Sequence, residues 1–250
     1  MKDNGLPSLY DMLEDAIPND HSSQSSAPDV LREQVGRGFR PRRVLDLGCG
    51  DGRSIDLFRS TLPEADWTGV DIEVSPEVLT RGREDGTFVT FDGVNLPFES
   101  GAFDLVYSYQ VFEHVRYPEP LLAETRRVLG PEGMFIGQTS QLEPYHSFSY
   151  WNYTVFGFRR LLEAAGFRLL IVRPGIDGLT LIERALLGRP KEWSKWFSTD
   201  SPLNQKIEQG PARKRSCRTR NFRKLMYCGQ FVFVAVPSES GIIGESRDPR

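Results

Sequence analysis

Val44-Leu45-Asp46-Leu47-Gly48-Cys49-Gly50-Asp51-Gly52-Arg53 is the stretch on which the fold turns. A short apolar run carrying one acid breaks into three glycines at alternate positions, and Ser54 to Arg59 then reads as a helix opening. This is a buried strand feeding a turn whose backbone must pass close to something. Glycine permits positive φ and removes the Cβ that would hold a ligand away. The helix that follows offers unpaired N–H groups to an electron-rich partner. A nucleotide-like cofactor is the natural occupant; the bland alternative is a glycine turn that holds none.

Spacing narrows the cofactor. The dinucleotide fingerprint is G-x-G-x-x-G with an acid about 20 residues on. Gly48 and Gly50 fit it, but its third glycine position is Arg53, and a glycine comes early at Gly52. With Asp46 two residues ahead, the pattern Asp46-x-Gly48-x-Gly50-x-Gly52 resembles motif I of the class I S-adenosylmethionine-dependent methyltransferases. The resemblance implies that Asp46 accepts a hydrogen bond from the cofactor's amino group and that Gly48, Cys49 and Gly50 lie against its adenosyl part. No pyrophosphate has to be cradled, so the missing glycine is not required.

Later segments follow that superfamily in order. Trp67 to Ile72 reads as a strand ending in Asp71, placed where a ribose-binding carboxylate belongs, with Ile72 beside it. Thr87 to Gly93 reads as a third strand, and the resemblance sets Asp92 and Gly93 against the adenine. Ala102 to Ser108 resembles the fourth strand, with Tyr109 to Val115 as its exit and Tyr109 added to the cofactor set. A helix over Glu119 to Leu129, a Gly130-Pro131-Glu132-Gly133 turn and a strand over Met134 to Thr139 come next. A helix from Thr154 to Ala165 and strands at Arg168 to Arg173 and Phe231 to Val236 complete the pattern. The expected architecture is an α/β, Rossmann-like sheet of seven mostly parallel strands, with helices on both faces and one antiparallel strand.

Domain boundaries follow. Residues 1–40 read as an N-terminal helix (Leu6 to Ile17, lying over the cofactor cleft) and a mobile polar linker. Residues 41–175 form the cofactor-binding core, 176–229 a helical insertion, 230–237 the last strand, and 238–250 a flexible tail. The insertion, with Trp193, Trp196 and Phe197 as anchors, exceeds what the fold demands and reads as a substrate-side cap or homodimer contact.

Composition sets limits. The 250 residues carry 39% hydrophobic and 26% charged residues and a formal net charge of -3, so nothing draws the whole chain to nucleic acid or anionic membrane. Its three cysteines lack C-x-x-C spacing, which argues against a structural zinc, and no metal is expected. Without an apolar leader or an 18-residue apolar run, no membrane span is expected and the cytoplasm is the default. One local exception is Arg213 to Lys224, with seven basic residues in twelve. It suits phosphates of a nucleotide sugar, a lipid-linked precursor or RNA, although such clusters are more often solvated faces.

Catalytic candidates are few. Of three histidines, His21 falls in the polar linker. His114, beside Glu113, and His146 follow the fourth and fifth strands, at the carboxyl edge where open α/β sheets bind ligands. The aromatic run Glu143-Pro144-Tyr145-His146-Ser147-Phe148-Ser149-Tyr150-Trp151-Asn152-Tyr153-Thr154 suits a ring, and favours His146 as base. This run and the segment after it resemble methyltransferases of bacterial surface-polysaccharide gene clusters, which implies O-methylation of a sugar, glycan precursor or other small hydroxyl-bearing metabolite. The competing readings are an inactive methyltransferase-fold partner, an RNA or nucleotide methyltransferase, and a nicotinamide oxidoreductase. The last is opposed by the absence of any Tyr-x-x-x-Lys among the eight tyrosines.

Overall fold

The computed structural model describes residues 8–238. Leu6, Pro7 and the tail beyond 238, named above, lie outside the described residues. Seven strands form one sheet: β1 (Arg43–Leu47), β2 (Asp66–Ile72), β3 (Thr87–Phe91), β4 (Phe103–Tyr109), β5 (Leu129–Ser140), β6 (Phe167–Pro174) and β7 (Gln230–Pro237). Their order across the sheet is β3-β2-β1-β4-β5-β7-β6. All pairs are parallel except those of β7, which runs antiparallel to both β5 and β6. The expected class and the single antiparallel strand are therefore what the chain adopts.

Continuous apolar strands are sorted onto two faces by their period of two. In β7, Phe231, Phe233 and Ala235 join one core with Phe135, Phe158 and Leu162, while Val232 and Val234 join the other with Val30, Leu31 and Phe58. Helices α4 (Pro118–Val128) and α5 (Val155–Ala164) supply the first core, and α1 (Ala27–Gly36) and α2 (Ile55–Thr61) the second, while the single turn of α3 (Pro76–Leu79) buries no residue. Two of these helices open on a side-chain cap: Thr154 accepts a hydrogen bond from the Gly157 amide ahead of α5, and Ser26 and Asp29 form a capping box ahead of α1.

Three expectations need correction. Residues 8–17 form a run of turns rather than a helix, and they cover the β6 edge, not the cofactor cleft. Leu13, Ala16 and Ile17 are buried there, the Val172 amide donates to the Ala16 carbonyl at 2.8 Å, and the Ser25 amide donates to Pro174 at 2.9 Å. An exposed edge strand left unpaired would be a site of aggregation, and this strap closes it. The polar linker is not loose: Gln24 bonds Trp196, Asp200, Ser201 and Asn204, and the fully buried Arg173 donates to Asp20 and Glu33. Finally, Gly130 to Gly133 is no separate turn but a wide bulge in β5, because Phe103 pairs with Leu129 while Leu105 pairs with Met134.

The insertion folds as α6 (Gly178–Leu186), a 3-10 segment (Lys191–Phe197), α7 (Pro202–Gln209) and α8 (Cys217–Leu225). Trp193, Trp196 and Phe197 are only half-buried, so they are not anchors of a core. Among the described residues, no helix is long and apolar enough to cross a membrane.

Candidate active site

The carboxyl ends of β1, β2, β3 and β4 share one edge, and the cofactor candidates collect there. Gly48, Gly50 and Gly52 have φ of 72°, 52° and 81°, the left-handed region that favours glycine. Their close approaches are partly internal. A Cβ on Gly48 would lie 2.3 Å from Val111 Cγ2, and one on Gly52 2.8 Å from the Phe88 ring. The Gly48 and Cys49 amides both donate to the Val70 carbonyl, which stitches the turn to β2. Cys49 is buried with its thiol pushed up by burial, so it offers a ligand its backbone rather than its side chain.

Asp71, at the end of β2, accepts the Gly50 amide at 2.7 Å on one oxygen and the Ile72 amide at 2.8 Å on the other. Each carboxylate oxygen has about two acceptor directions, so each retains one for a ligand. Burial raises the Asp71 pKa in spite of those amides. Asp46 is buried inside β1, accepts the Ser54 hydroxyl, and is pushed up to about 7 by burial. Asp92, past β3, is exposed and held below the usual carboxyl range by Asn95 and by the Val94 and Asn95 amides. Gly93 follows at φ 87°, and Ile72 and Tyr109 stand exposed at their strand ends.

The exits of β4 and β5 meet beside this turn. His114 ends a short 3-10 segment, Phe112–His114, and its ring stands edge to face with His146, centroids 5.1 Å apart. Burial, then the neighbouring His146, lowers the His114 pKa. His146 Nδ1 lies 3.1 Å from the Pro144 carbonyl and 3.9 Å from Glu143 Oε1. Below the two rings is a polar floor absent from the sequence-level reading. Glu113 is fully buried, accepts Thr139 at 2.9 Å and is pushed up to about 7 by burial. Ser140 Oγ donates to Glu143 at 2.6 Å, and Gln230 Nε2 donates to it at 2.9 Å. Gln110, at φ 57°, sets its amide nitrogen 3.0 Å from Glu113 and 3.3 Å from Glu143 in the orientation that satisfies both. Left-handed backbone recurs at Ser147 and Phe148, and such conformations cluster at functional sites.

The aromatic run divides by role. Tyr145 and Phe148 are 75% and 76% exposed, whereas Tyr153 is buried and donates to the Phe112 carbonyl. Trp151 Nε1 donates to Val115, and the Tyr150 and Trp151 amides donate to Glu113, so the two exit loops are laced together. A separate open groove of about 530 Å³, bounded by Ser100, Arg126, Arg127 and Gly166, lies at the opposite ends of the strands, away from all these groups.

A profile described as a methyltransferase domain matches residues 45–137, the span from the glycine turn to the middle of β5. Over this span the chain is similar to the class I S-adenosylmethionine-dependent methyltransferases. It is similar to a phthiotriol/phenolphthiotriol dimycocerosates methyltransferase of Mycobacterium ulcerans, at 30% identity over 59% of this chain and 55% of that one. It is also similar to a malonyl-[acyl-carrier protein] O-methyltransferase of Laribacter hongkongensis, at 34% identity over 40% of this chain and 37% of the relative. The chain thus spans about half or less of the length of these curated relatives. In fold it matches Burkholderia thailandensis 1,6-didemethyltoxoflavin-N1-methyltransferase, solved with S-adenosylhomocysteine, with a TM-score of 0.52 and 19% identity over 85% of this chain and 77% of that one.

S-adenosylmethionine is the cofactor of this superfamily, and the residues of the methyltransferase edge fit it. Asp71 is pinned by two amides with acceptor capacity to spare. Ser108 Oγ, at the end of β4 opposite Leu47, is a buried hydroxyl with no hydrogen-bond partner among the described residues, next to the glycine turn. The basic cluster Arg213 to Lys224 fits phosphate less well than its composition suggests. Arg218 donates to Ile17, Arg220 to Ser22 and Lys224 to Ser22, with Glu208 pairing Arg220 and Lys224. Those three cations hold down the strap over β6. Glu143 and Gln110, in contrast, were legible only as neighbours of His146 and of the β4 exit. A left-handed glutamine leaves no sequence signal.

Proposed function

We propose that this chain transfers the methyl group of S-adenosylmethionine to an oxygen of a small acceptor, a sugar or glycan precursor or another hydroxyl-bearing metabolite. The observation that carries it is the His114–His146 pair beside the glycine turn, at the joint exit of β4 and β5. In support, one relative is an O-methyltransferase by name and another is named for a lipid methylation. The resemblance to polysaccharide-cluster enzymes points the same way.

S-adenosylmethionine brings a methyl already activated on a sulfonium, so positioning supplies much of the rate. Asp71 would hold the ribose hydroxyls, Asp92 and Gly93 the adenine, and Asp46 the amino group, with Gly48, Cys49, Gly50, Ile72 and Tyr109 forming the walls. If Nδ1–H of His146 donates to Pro144, Nε2 is left as the acceptor nitrogen and can take the proton of the acceptor hydroxyl. His114, kept neutral by its lowered pKa, does not repel the imidazolium that forms. The carboxylates of the floor stabilise that imidazolium, Glu143 being the nearer. Helix α6 of the insertion walls the acceptor side.

Calorimetry with S-adenosylhomocysteine tests the cofactor half: saturable one-to-one binding is expected, and no heat at high concentration sinks the proposal. Methyl transfer from labelled S-adenosylmethionine to sugar, nucleotide-sugar and acyl acceptors then tests the acceptor half. Amine acceptors complete the panel, and label carried by them alone would overturn O-methylation.

A further inference from the structure

We propose that Arg184 and Arg189 form an anion subsite beside His146 that takes a carboxylate or phosphate group of the acceptor; this deepens the function proposed above and rests on it. A cleft of about 110 Å³ separates α6 from the β5 exit and is lined by Glu143, Pro144, His146, Leu181, Arg184 and Arg189. Its charge does not balance. Other half-buried arginines are answered by the fold: Arg83 pairs with Asp56 and Asp85, Arg159 with Asp15 and Glu163, and Arg220 with Glu208, while Arg81, Arg126 and Arg218 donate to carbonyls. Among the described residues, neither Arg184 nor Arg189 has an ion pair. Arg184 lies over the Phe197 ring, 5.3 Å from its centroid, and its Nε is buried without a hydrogen-bond partner.

The one acid on the cleft wall does not answer this charge. Glu143 takes its bonds from Ser140 and Gln230 and lies nearest to His146. Arg189 sits at φ 60° with its amide donating to the Arg184 carbonyl at 2.8 Å, so the turn after α6 fixes the two arginines close together in the chain fold. A guanidinium fork with a free buried N–H suits the two oxygens of a carboxylate or phosphate. An acceptor held there by its anionic group would present a neighbouring hydroxyl to the His146 imidazole, which borders the same cleft. The insertion would thereby select charged acceptors, a role that the strand order alone does not supply.

The test titrates the labelled protein with inorganic phosphate and, separately, with malonate at constant ionic strength, and reads the His146 ring signals. A saturable shift is expected with at least one anion, and its midpoint should rise more than tenfold in the Arg184→Gln/Arg189→Gln protein. Arg189→Gln alone, at an exposed position, carries the comparison should the double variant unfold. A response to phosphate alone supports a phosphorylated acceptor, and one to malonate alone a carboxylate acceptor. Calorimetry with S-adenosylhomocysteine runs alongside. Normal cofactor binding with no saturable shift, or with the same midpoint in the variants, overturns the subsite and leaves the methyltransferase proposal standing. Failure of the wild type to bind S-adenosylhomocysteine overturns that proposal and the subsite with it.

Discussion

His114 and His146 leave different strands and meet edge to face, 86° between planes and 5.1 Å between centroids. Two imidazoles this close cannot both be charged cheaply, so protonating one holds the other neutral. That is the arrangement a base needs if it is to accept a proton and then release it.

His146→Ala should lower turnover by about 10²–10⁴-fold while S-adenosylhomocysteine affinity stays within a factor of two or so, as expected for loss of a general base. Initial rates and calorimetry on the same preparation check this. Loss of cofactor binding would make His146 structural, and full turnover would leave positioning alone as the mechanism.

Asp71→Ala should weaken S-adenosylhomocysteine binding by roughly 1.5–3 kcal/mol, the range for losing charge-assisted hydrogen bonds. Part of that loss comes from releasing the Gly50 and Ile72 amides that Asp71 holds. Wild-type affinity in calorimetry would misplace the ribose site.

Gly48→Ala acts on the fold as well as the ligand, because its Cβ would collide with Val111 at φ 72°. A destabilisation of about 1–3 kcal/mol is expected from overpacking at a left-handed position. Urea denaturation measures it, and adding Val111→Ala should recover part of the loss; no recovery would show that strain rather than collision dominates.

Asp46 and Glu113 titrate near 7 in the folded chain against ordinary values of 3.8 and 4.5. Both are raised, so their contribution to stability is complete at low pH and is lost as pH climbs from about 4 to 7. His114, whose pKa is lowered from 6.5, works the other way and costs stability as pH falls below that value. Asp46→Asn should therefore be more stable than wild type at pH 8 and close to it near pH 4. Denaturation curves at both pH values decide, and an equal gap at each would remove burial of the charge as the cause.

Lys224→Met should cost roughly 2–4 kcal/mol, somewhat under the value for a wholly buried broken pair because Glu208 keeps contact with water. Its Nζ holds Ser22 at 2.6 Å and Glu208 at 2.9 Å under the strap. Unchanged stability would show the strap to be held by Leu13, Ala16 and Ile17 alone.

Local chemistry by itself determined the candidate cofactor side of this protein. Asp46, the alternating glycines and Asp71 follow one another along adjoining strand ends, so their spacing along the chain is also their spacing in the fold. The apolar runs likewise dictated seven strands, since each must bury itself in the sheet. The candidate acceptor side was decided by the tertiary structure. Gln110, Glu113, Ser140 and Glu143 meet because β4 and β5 leave the sheet side by side, and Gln230, 120 residues from Gln110, joins them because β7 inserts antiparallel between β5 and β6. The Arg213 to Lys224 cluster shows the same limit from the other side. Composition left it open to phosphates or to solvent, yet packing turned Arg218, Arg220 and Lys224 onto Ile17 and Ser22 and set Glu208 of α7 against the last two, because a buried cation must find a partner wherever the chain places one.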